Sequence, residues 1–166
     1  MNLQGGSSVA GDRVSYESGS LGTITNSTFS TAKLQLESGG VTVNSTSFSR
    51  VDPVDTNPSL VPQLYDNTFV STATVHVSGT ASSNATWQVI PNLARYLVDG
   101  DITVDSGVTL TIQPGVEVRT DGGFNDITVN GVLNATGVSF TGNETDIRVR
   151  NGGRMNLQGG SSVAGD

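Results

Sequence analysis

Acidic side chains are the residues of this sequence with the clearest capacity for chemistry. Asp99, Asp101 and Asp105 lie close together, and Asp52 and Asp55 form a second pair. Alternate residues of a strand face the same side, so Asp99 and Asp101 would present their carboxylates together. Carboxylate oxygens are the ligands that calcium prefers. Asp99, Asp101 and Asp105 are therefore the candidate calcium ligands, although their spacing is not that of an EF-hand loop or of a Gly-Gly-x-Gly-x-Asp repeat.

General acid–base catalysis has few candidates here. Neither group of acids has a Lys or His close to it in sequence, and His76 is the only histidine. His76 lies between Val75 and Val77, so it should point outward from a strand. We expect no enzymatic activity, and no cofactor other than the candidate calcium.

Asparagine glycosylation is the other chemistry that the sequence offers. The pattern Asn-x-Thr marks five acceptor candidates: Asn26, Asn44, Asn84, Asn134 and Asn143. Such sites are modified on exported proteins. Asparagine is also common in turns, which accounts for much of this pattern.

Short strands must position these residues. A unit of apolar, polar and apolar residues recurs along the chain, and Gly, Asn, Asp or Ser usually follows it. Examples are Leu34-Gln35-Leu36, Val41-Thr42-Val43, Val75-His76-Val77, Ile127-Thr128-Val129 and Ile147-Arg148-Val149. Alternation of this kind predicts strands with one buried face, and the scarcity of helix-forming surface residues excludes a helical bundle.

The spacing of these units predicts how the strands stack. One series of apolar anchors runs Val14, Leu34, Val75, Ile102, Ile127 and Ile147, and a second runs Val9, Phe29, Phe48, Phe69, Trp87, Val116, Phe140 and Val163. Steps near 20 residues are typical of a solenoid, whose coils each add one strand to several parallel sheets. A hairpin sandwich is the alternative, but it favours longer strands joined by two-residue turns.

A family resemblance points to the same fold. Residues 96–118 (YLVDGDITVDSGVTLTIQPGVEV) and 127–137 (ITVNGVLNATG) resemble the right-handed parallel β-helix, or pectin-lyase-like, repeats of large prokaryotic cell-surface proteins. The resemblance implies an all-β, right-handed parallel β-helix. Enzymes of that type bind polysaccharide in a groove with clustered carboxylates, which leaves a polysaccharide lyase or hydrolase as a further alternative.

Two segments interrupt the rhythm. Residues 50–66 contain three of the five prolines, and we predict a loop excursion there because proline cannot donate to a strand ladder. Residues 87–98 are the most apolar stretch and contain the only tryptophan, which predicts a second loop excursion. If these loops contact a neighbouring chain, the candidate lateral-contact residues are Pro53, Pro58, Pro62, Trp87 and Tyr96.

Composition excludes several classes of partner. The net charge of −7 argues against nucleic acid, whose binders need clustered Lys and Arg. No apolar run approaches the roughly 20 residues of a membrane span. The chain contains no cysteine, and therefore no disulfide or thiolate metal site.

An exact repeat dominates the organisation of the chain. Residues 1–12 and 155–166 both read MNLQGGSSVAGD, 154 positions apart. We therefore predict one β-solenoid segment over 1–166, with about seven coils per 154-residue repeat and these two peptides in the same coil of successive repeats.

The expected function is a structural repeat unit of an extracellular filament, stalk or sheath at the cell surface. Its expected partners are further copies of itself, neighbouring filaments or glycans. The alternative is an adhesin segment that binds glycan or a surface through exposed loops or a sheet face.

Overall fold

The computed structural model describes residues 1–121, 123, 125–142 and 146–164, and these are almost entirely strand. The strands are β1 (Asn2–Leu3), β2 (Ser8–Val9), β3 (Arg13–Tyr16), β4 (Gly22–Thr25), β5 (Thr28–Phe29), β6 (Lys33–Leu36), β7 (Val41–Asn44), β8 (Ser47–Phe48), β9 (Val54–Thr56), β10 (Thr68–Phe69), β11 (Ala73–Ala81), β12 (Ala85–Trp87), β13 (Leu93–Val104), β14 (Thr109–Ile112), β15 (Glu117–Thr120), β16 (Asp126–Val129), β17 (Val132–Thr136), β18 (Ser139–Gly142), β19 (Asp146–Val149), β20 (Arg154–Gln158) and β21 (Ser162–Val163). A 3₁₀ helix spans Val61–Leu64. Within the described residues, no helix has the length and apolar character needed to cross a membrane.

All pairings between these strands are parallel, which confirms an all-β parallel solenoid. Three sheets follow the orders β1-β4-β7, β10-β8-β5-β2 and β12-β14-β17-β20. The largest sheet has ten strands, and its main path runs β3-β6-β9-β11-β13-β15-β18-β21. Parallel neighbours need a crossover between them, and here each crossover is one coil of the chain.

One column of stacked residues passes through the whole solenoid. Leu3 stacks below Ile24 and then Val43, and Trp87 stacks below Ile112, Ala135 and Leu157. The 3₁₀ helix contacts both β7 and β12 and fills the place between them. Leu3 and Leu157 are 154 positions apart, so this column confirms about seven coils per repeat.

The sheets rearrange halfway along the stack. Strand β11 continues past Val77 through Gly79, whose φ of 90° is accessible because glycine lacks a Cβ. Its second half, Gly79–Ala81, starts a new column that continues through Ile102–Val104, β16 and β19. The sheet that contains β2 ends in the same region, at β10.

This rearrangement corrects the prediction for the repeated peptide. Asn2–Leu3 and Asn156–Leu157 lie at the two ends of the column described above. Ser8–Val9, however, pairs with β5 in the four-stranded sheet, whereas Ser162–Val163 pairs with β18 in the ten-stranded sheet. The two peptides therefore occupy equivalent positions on one side of the coil and different sheets on the other.

The anchor series are right over part of their length. Val9, Phe29, Phe48 and Phe69 stack directly, with ring centroids 5.1 Å apart for Phe29–Phe48 and 5.2 Å apart for Phe48–Phe69. The steps through Trp87 and Val116 are wrong, because Trp87 pairs with Ile112 and Phe140 pairs with Val118. The step from Val75 to Ile102 is also wrong. Val75 pairs with Tyr96, because Ile102 lies in the new column above Gly79.

Both predicted loop excursions are corrected as well. Within 50–66, Val54–Thr56 is a regular strand between β6 and β11, and the 3₁₀ helix buries Val61 and Leu64. Within 87–98, Trp87 ends β12, and β13 begins at Leu93. Pro53, Pro58 and Trp87 of these segments are therefore buried in the stack, whereas Pro62 and Val89 are exposed.

Candidate functional site

The outward face of the ten-stranded sheet carries a polar cluster. Gln35 pairs with Asp55, and Asp55 pairs with His76, so their side chains form a ladder on three successive coils. Asp99 follows Val98, which pairs with Val77 just beyond the histidine. The cluster therefore depends on coils of about 20 residues, each of which returns the chain to the same face.

His76 and Asp99 form the clearest polar contact of this cluster. The imidazole Nδ1 lies 2.7 Å from Asp99 Oδ2, and the Asp99 side chain is 36% exposed. The hydrogen bond with His76 holds the pKa of Asp99 below its ordinary value, and burial opposes this effect only in part. The hydrogen bond links two neighbouring coils.

Asp55 has cationic partners of its own. The Lys33 ammonium is in direct ion-pair contact with Asp55 Oδ1, and Arg13 Nη2 lies 3.7 Å from Oδ2. Among the described residues, Oδ1 receives no hydrogen bond of normal geometry and is sealed from solvent. The short ion pair with Lys33 is therefore the contact that neutralises this oxygen.

A groove of about 610 Å³ opens beside the cluster. It is lined by carboxylate, amide and hydroxyl side chains and by backbone, from Ser18, Gln35, Glu37, Asp55, Thr56, Asn57, Ser78, Gly79, Thr80 and Asp99. No aromatic ring is among these lining residues, so a sugar bound here would be held by hydrogen bonds and not by stacking.

The structure does not assemble the predicted calcium ligands. Asp101 accepts a hydrogen bond from the backbone N–H of Asp126 at 2.9 Å, and the backbone carbonyl of Asp105 closes a turn with Val108. Only Asp99 joins a cluster with ligand atoms, together with Asp55 and His76, where one atom from each lies within 4.8 Å of the others. Such a set could hold a divalent cation, in competition with Lys33.

Sequence reasoning missed Asp55 and His76 as neighbours of Asp99. Asp55 and His76 are 21 positions apart, and His76 and Asp99 are 23 apart. A search for polar residues repeated at the coil length would have found them. The other early candidate, Asp52, is instead held by Arg50, whose Nε lies 2.9 Å from its Oδ1 and lowers the pKa of the carboxyl.

The candidate lateral-contact residues lie mostly inside the molecule. Trp87 and Tyr96 are 1% and 2% exposed, with ring centroids 5.1 Å apart. Each satisfies its polar group internally, since Trp87 Nε1 donates to the Pro58 carbonyl and the Tyr96 hydroxyl donates to the Gln88 carbonyl. Burial also raises the pKa of Tyr96.

The three candidate prolines are divided between core and surface. Pro53 and Pro58 are buried, and Pro62 is exposed. Of the five candidates for contact with a neighbour, four are therefore core residues, and a lateral contact could use Pro62 alone.

The glycosylation candidates differ in accessibility. Asn26 and Asn84 are exposed, while Asn44 and Asn134 are half-buried. Asn134 accepts a hydrogen bond from Asn156 Nδ2 at 2.7 Å, so its side chain belongs to an asparagine ladder between coils. Asn143 lies outside the described residues.

The two end coils are the remaining candidate surface. Strands β1, β2 and β3 lie at one end of their sheets, and β19, β20 and β21 lie at the other. Three apolar side chains are exposed at the second of these ends: Val149 of β19 (46%), Leu157 of β20 (40%) and Val163 of β21 (44%). Unpaired strand edges with apolar side chains are templates for further strand pairing.

Comparison of the sequence with protein-family models and with curated proteins, and of the fold with solved structures, finds no match. The parallel pairing of its strands defines the class of the protein as the parallel β-solenoid. Function has to be argued from its surfaces.

Proposed function

We propose that this chain is a structural repeat unit of an extracellular filament, stalk or sheath, built by end-to-end stacking of solenoid repeats. The observation that carries the proposal is the match between sequence period and coil count. A repeat of 154 residues contains about seven complete coils, so each new repeat would continue the column that ends at Leu157. The proposal assigns the chain no enzymatic activity.

The physics of the stack favours a mechanical role. Each coil contributes inward Val, Ile, Leu and Phe side chains, which pack on those of the next coil. Solenoid stability is approximately a sum of coil stabilities and contacts between neighbours, so such a structure can be extended without a new core. The last described coil exposes Val149, Leu157 and Val163, apolar side chains on which a further coil could pack. A prokaryotic cell-surface origin, suggested by the sequence resemblance, is part of the same proposal.

A chain containing two consecutive 154-residue units tests this function. Adjacent coils are about 4.8 Å apart, so seven coils should lengthen the molecule by roughly 34 Å. Small-angle scattering of the one-unit and two-unit chains should show a rod of unchanged cross-section that grows by that length. Two units that fold back side by side, with a doubled cross-section, would contradict the proposal.

The groove beside Asp55 supports glycan binding by an adhesin segment as a second candidate. Its carboxylates and hydroxyls are suited to hydrogen bonds with sugar hydroxyls. Point substitutions are used to test this function, because deletion of the surrounding residues 51–65 would remove Val54, Val61 and Leu64 from the core. Glycan-array binding that is lost in Asp55→Asn and kept in an exposed control, Thr42→Ala, would favour this function. No binding by the unmodified chain would exclude it for the array's sugars.

A further inference from the structure

The repeated peptide has the same local structure in both places, although its sheets differ. Gly5 and Gly6 have φ angles of 65° and 86°, and Gly159 and Gly160 have φ angles of 60° and 79°. The Ser7 and Ser161 hydroxyls each donate to the carbonyl three residues earlier, at 2.7 Å in both cases. The peptide therefore forms this glycine turn in two different sheet surroundings.

The first copy of the peptide uses one edge to cover the second coil. The carbonyls of Ser7 and Val9 accept hydrogen bonds from Thr28 and Ser30, at 2.8 and 3.0 Å. Gly6 donates its N–H to the Asn26 carbonyl at 2.7 Å. This edge therefore has a defined pattern of donors and acceptors.

The second copy has its opposite edge in use. The N–H groups of Ser162 and Ala164 donate to the coil below, to the carbonyls of Val138 and Phe140 at 2.9 Å. Successive residues of a parallel strand bond to opposite sides, so the carbonyls of Ser161 and Val163 face away from the coil below. These are the equivalents of Ser7 and Val9.

We propose that residues 155–164 of one copy of this chain replace residues 1–10 of a second copy. Asn156–Leu157 and Ser162–Val163 would then pair with Thr23–Ile24 and Thr28–Phe29 of the second copy. The occupant of this edge is thus a second copy of the same chain, whose own residues 1–10 are displaced. This inference rests on the proposed end-to-end stacking and specifies its joint.

The exchange keeps the contacts that each copy of the peptide already makes with its neighbouring coil, because the incoming residues 155–164 and the displaced residues 1–10 have the same sequence. It adds one contact. In continuous repeat numbering, Val14 of the second copy follows Ile147 by 21 positions, which sets β3 over β19. Tyr16 would then cover the exposed Val149, and Arg13 would face Asp146. Residues 1–12 therefore compete within the chain against an intermolecular joint of similar strength.

A matched pair of substitutions tests the joint on the full 166-residue chain. Val9→Asp weakens the internal competitor, and Val163→Asp weakens the incoming strand, by the same change at equivalent positions. We expect Val9→Asp to raise the association constant at least tenfold in sedimentation velocity, and Val9→Asp/Val163→Asp to abolish that gain. Association of the double variant as strong as that of Val9→Asp would overturn the joint, and so would no gain in Val9→Asp.

Deletion of residues 1–12 is the second variant, used if circular dichroism shows that Val9→Asp has lost its strands. It exposes the same edge of the second coil and should associate in the same way. A deletion variant that keeps its strands and stays monomeric would overturn the inference.

Disulfide trapping tests the register, since the chain has no cysteine. Neighbouring strands about 4.8 Å apart are within disulfide range. Ser8→Cys/Thr28→Cys should close a bridge within one chain, whereas Ser162→Cys/Thr28→Cys should give a ladder of covalent multimers, because these residues lie at opposite ends of the stack. Closure of the control bridge without multimers would overturn the register.

If the two-unit rod lengthens while these joint tests fail, only the joint is wrong. If the two units fold back, the stacking function itself is wrong.

Discussion

Replacement of Phe48 by alanine is the sharpest test of how the coils hold together. Phe48 is 2% exposed and lies between Phe29 and Phe69, with ring centroids 5.1 and 5.2 Å away. Truncation of a buried phenylalanine costs about 3–5 kcal/mol, through lost transfer energy and the cavity left behind. Of this, the two ring contacts account for roughly 1–3 kcal/mol, at about 0.5–1.5 kcal/mol each.

Two controls separate these contributions. Phe48→Leu keeps most of the buried volume and loses the ring contacts, so we expect a loss of roughly 1–3 kcal/mol. Thr42→Ala changes an exposed outward residue of the same coil and should stay within about 0.5 kcal/mol of the unmodified chain. The order of stability should therefore be Thr42→Ala, then Phe48→Leu, then Phe48→Ala.

Urea denaturation provides the assay, with circular dichroism reporting on all strands. Fluorescence of the single tryptophan, Trp87, reports on the middle of the stack. Because each coil contacts only its neighbours, the two signals can separate when one coil is weakened. A loss below about 1 kcal/mol for Phe48→Ala, or equal losses for Phe48→Ala and Phe48→Leu, would refute the argument that aromatic stacking stabilises this column.

Three further outcomes follow from the structure. Gly131→Ala should lower stability by more than about 2 kcal/mol in urea denaturation, because the added Cβ would lie 2.2 and 2.3 Å from two backbone carbonyl oxygens. Gly39→Ala is the control and should be tolerated, because the nearest atom to its Cβ would be 3.6 Å away. Equal losses in the two variants would contradict this prediction. Because the pKa of Asp99 is lowered in the folded chain, the stability that its carboxylate contributes is present above the unfolded-state pKa of about 3.9 and is lost as pH falls through the folded-state pKa. Below about pH 4, the melting temperature of His76→Gln should therefore fall less steeply with pH than that of the unmodified chain. Parallel curves would argue against the His76–Asp99 pair. Trp87→Phe should cost about 1–3 kcal/mol, because it leaves a buried carbonyl without its 2.9 Å hydrogen bond, and a neutral result would assign the tryptophan a packing role only.

Much of the fold was predictable from local pattern. Alternating residues such as those around Leu34 predict strands, and steps of 19–21 residues predict the stack of Val9, Phe29, Phe48 and Phe69. These predictions succeed because coils of similar length must bring the same side chain back to the same place.

The candidate site was less predictable, because it depends on contacts between coils. The acids nearest to Asp99 in sequence are Asp101 and Asp105, yet its neighbours in space are His76, 23 positions away, and Asp55, one coil further. Sequence proximity is a poor guide in a solenoid, where residues one coil apart are closer neighbours than many residues on the same coil.

The buried aromatic pair illustrates a second limit. Trp87 and Tyr96 lie in an apolar stretch with irregular spacing, which local pattern assigns to a loop. The structure buries both rings because their polar groups find carbonyl partners at Pro58 and Gln88. The Pro58 carbonyl lies 29 positions before Trp87, so local pattern does not identify it, whereas Gln88 belongs to the apolar stretch itself.

The sequence by itself determined the strand units, the coil length and the number of coils per 154-residue period, because each follows from alternation and repetition along the chain. The tertiary structure alone decided which column each strand joins. A coil that is a few residues longer can place its extra length at any corner, and hydrogen bonding between coils selects one. At Gly79 that choice adds a column to the ten-stranded sheet, so the two identical peptides, equal in sequence and in turn geometry, come to lie in different sheets.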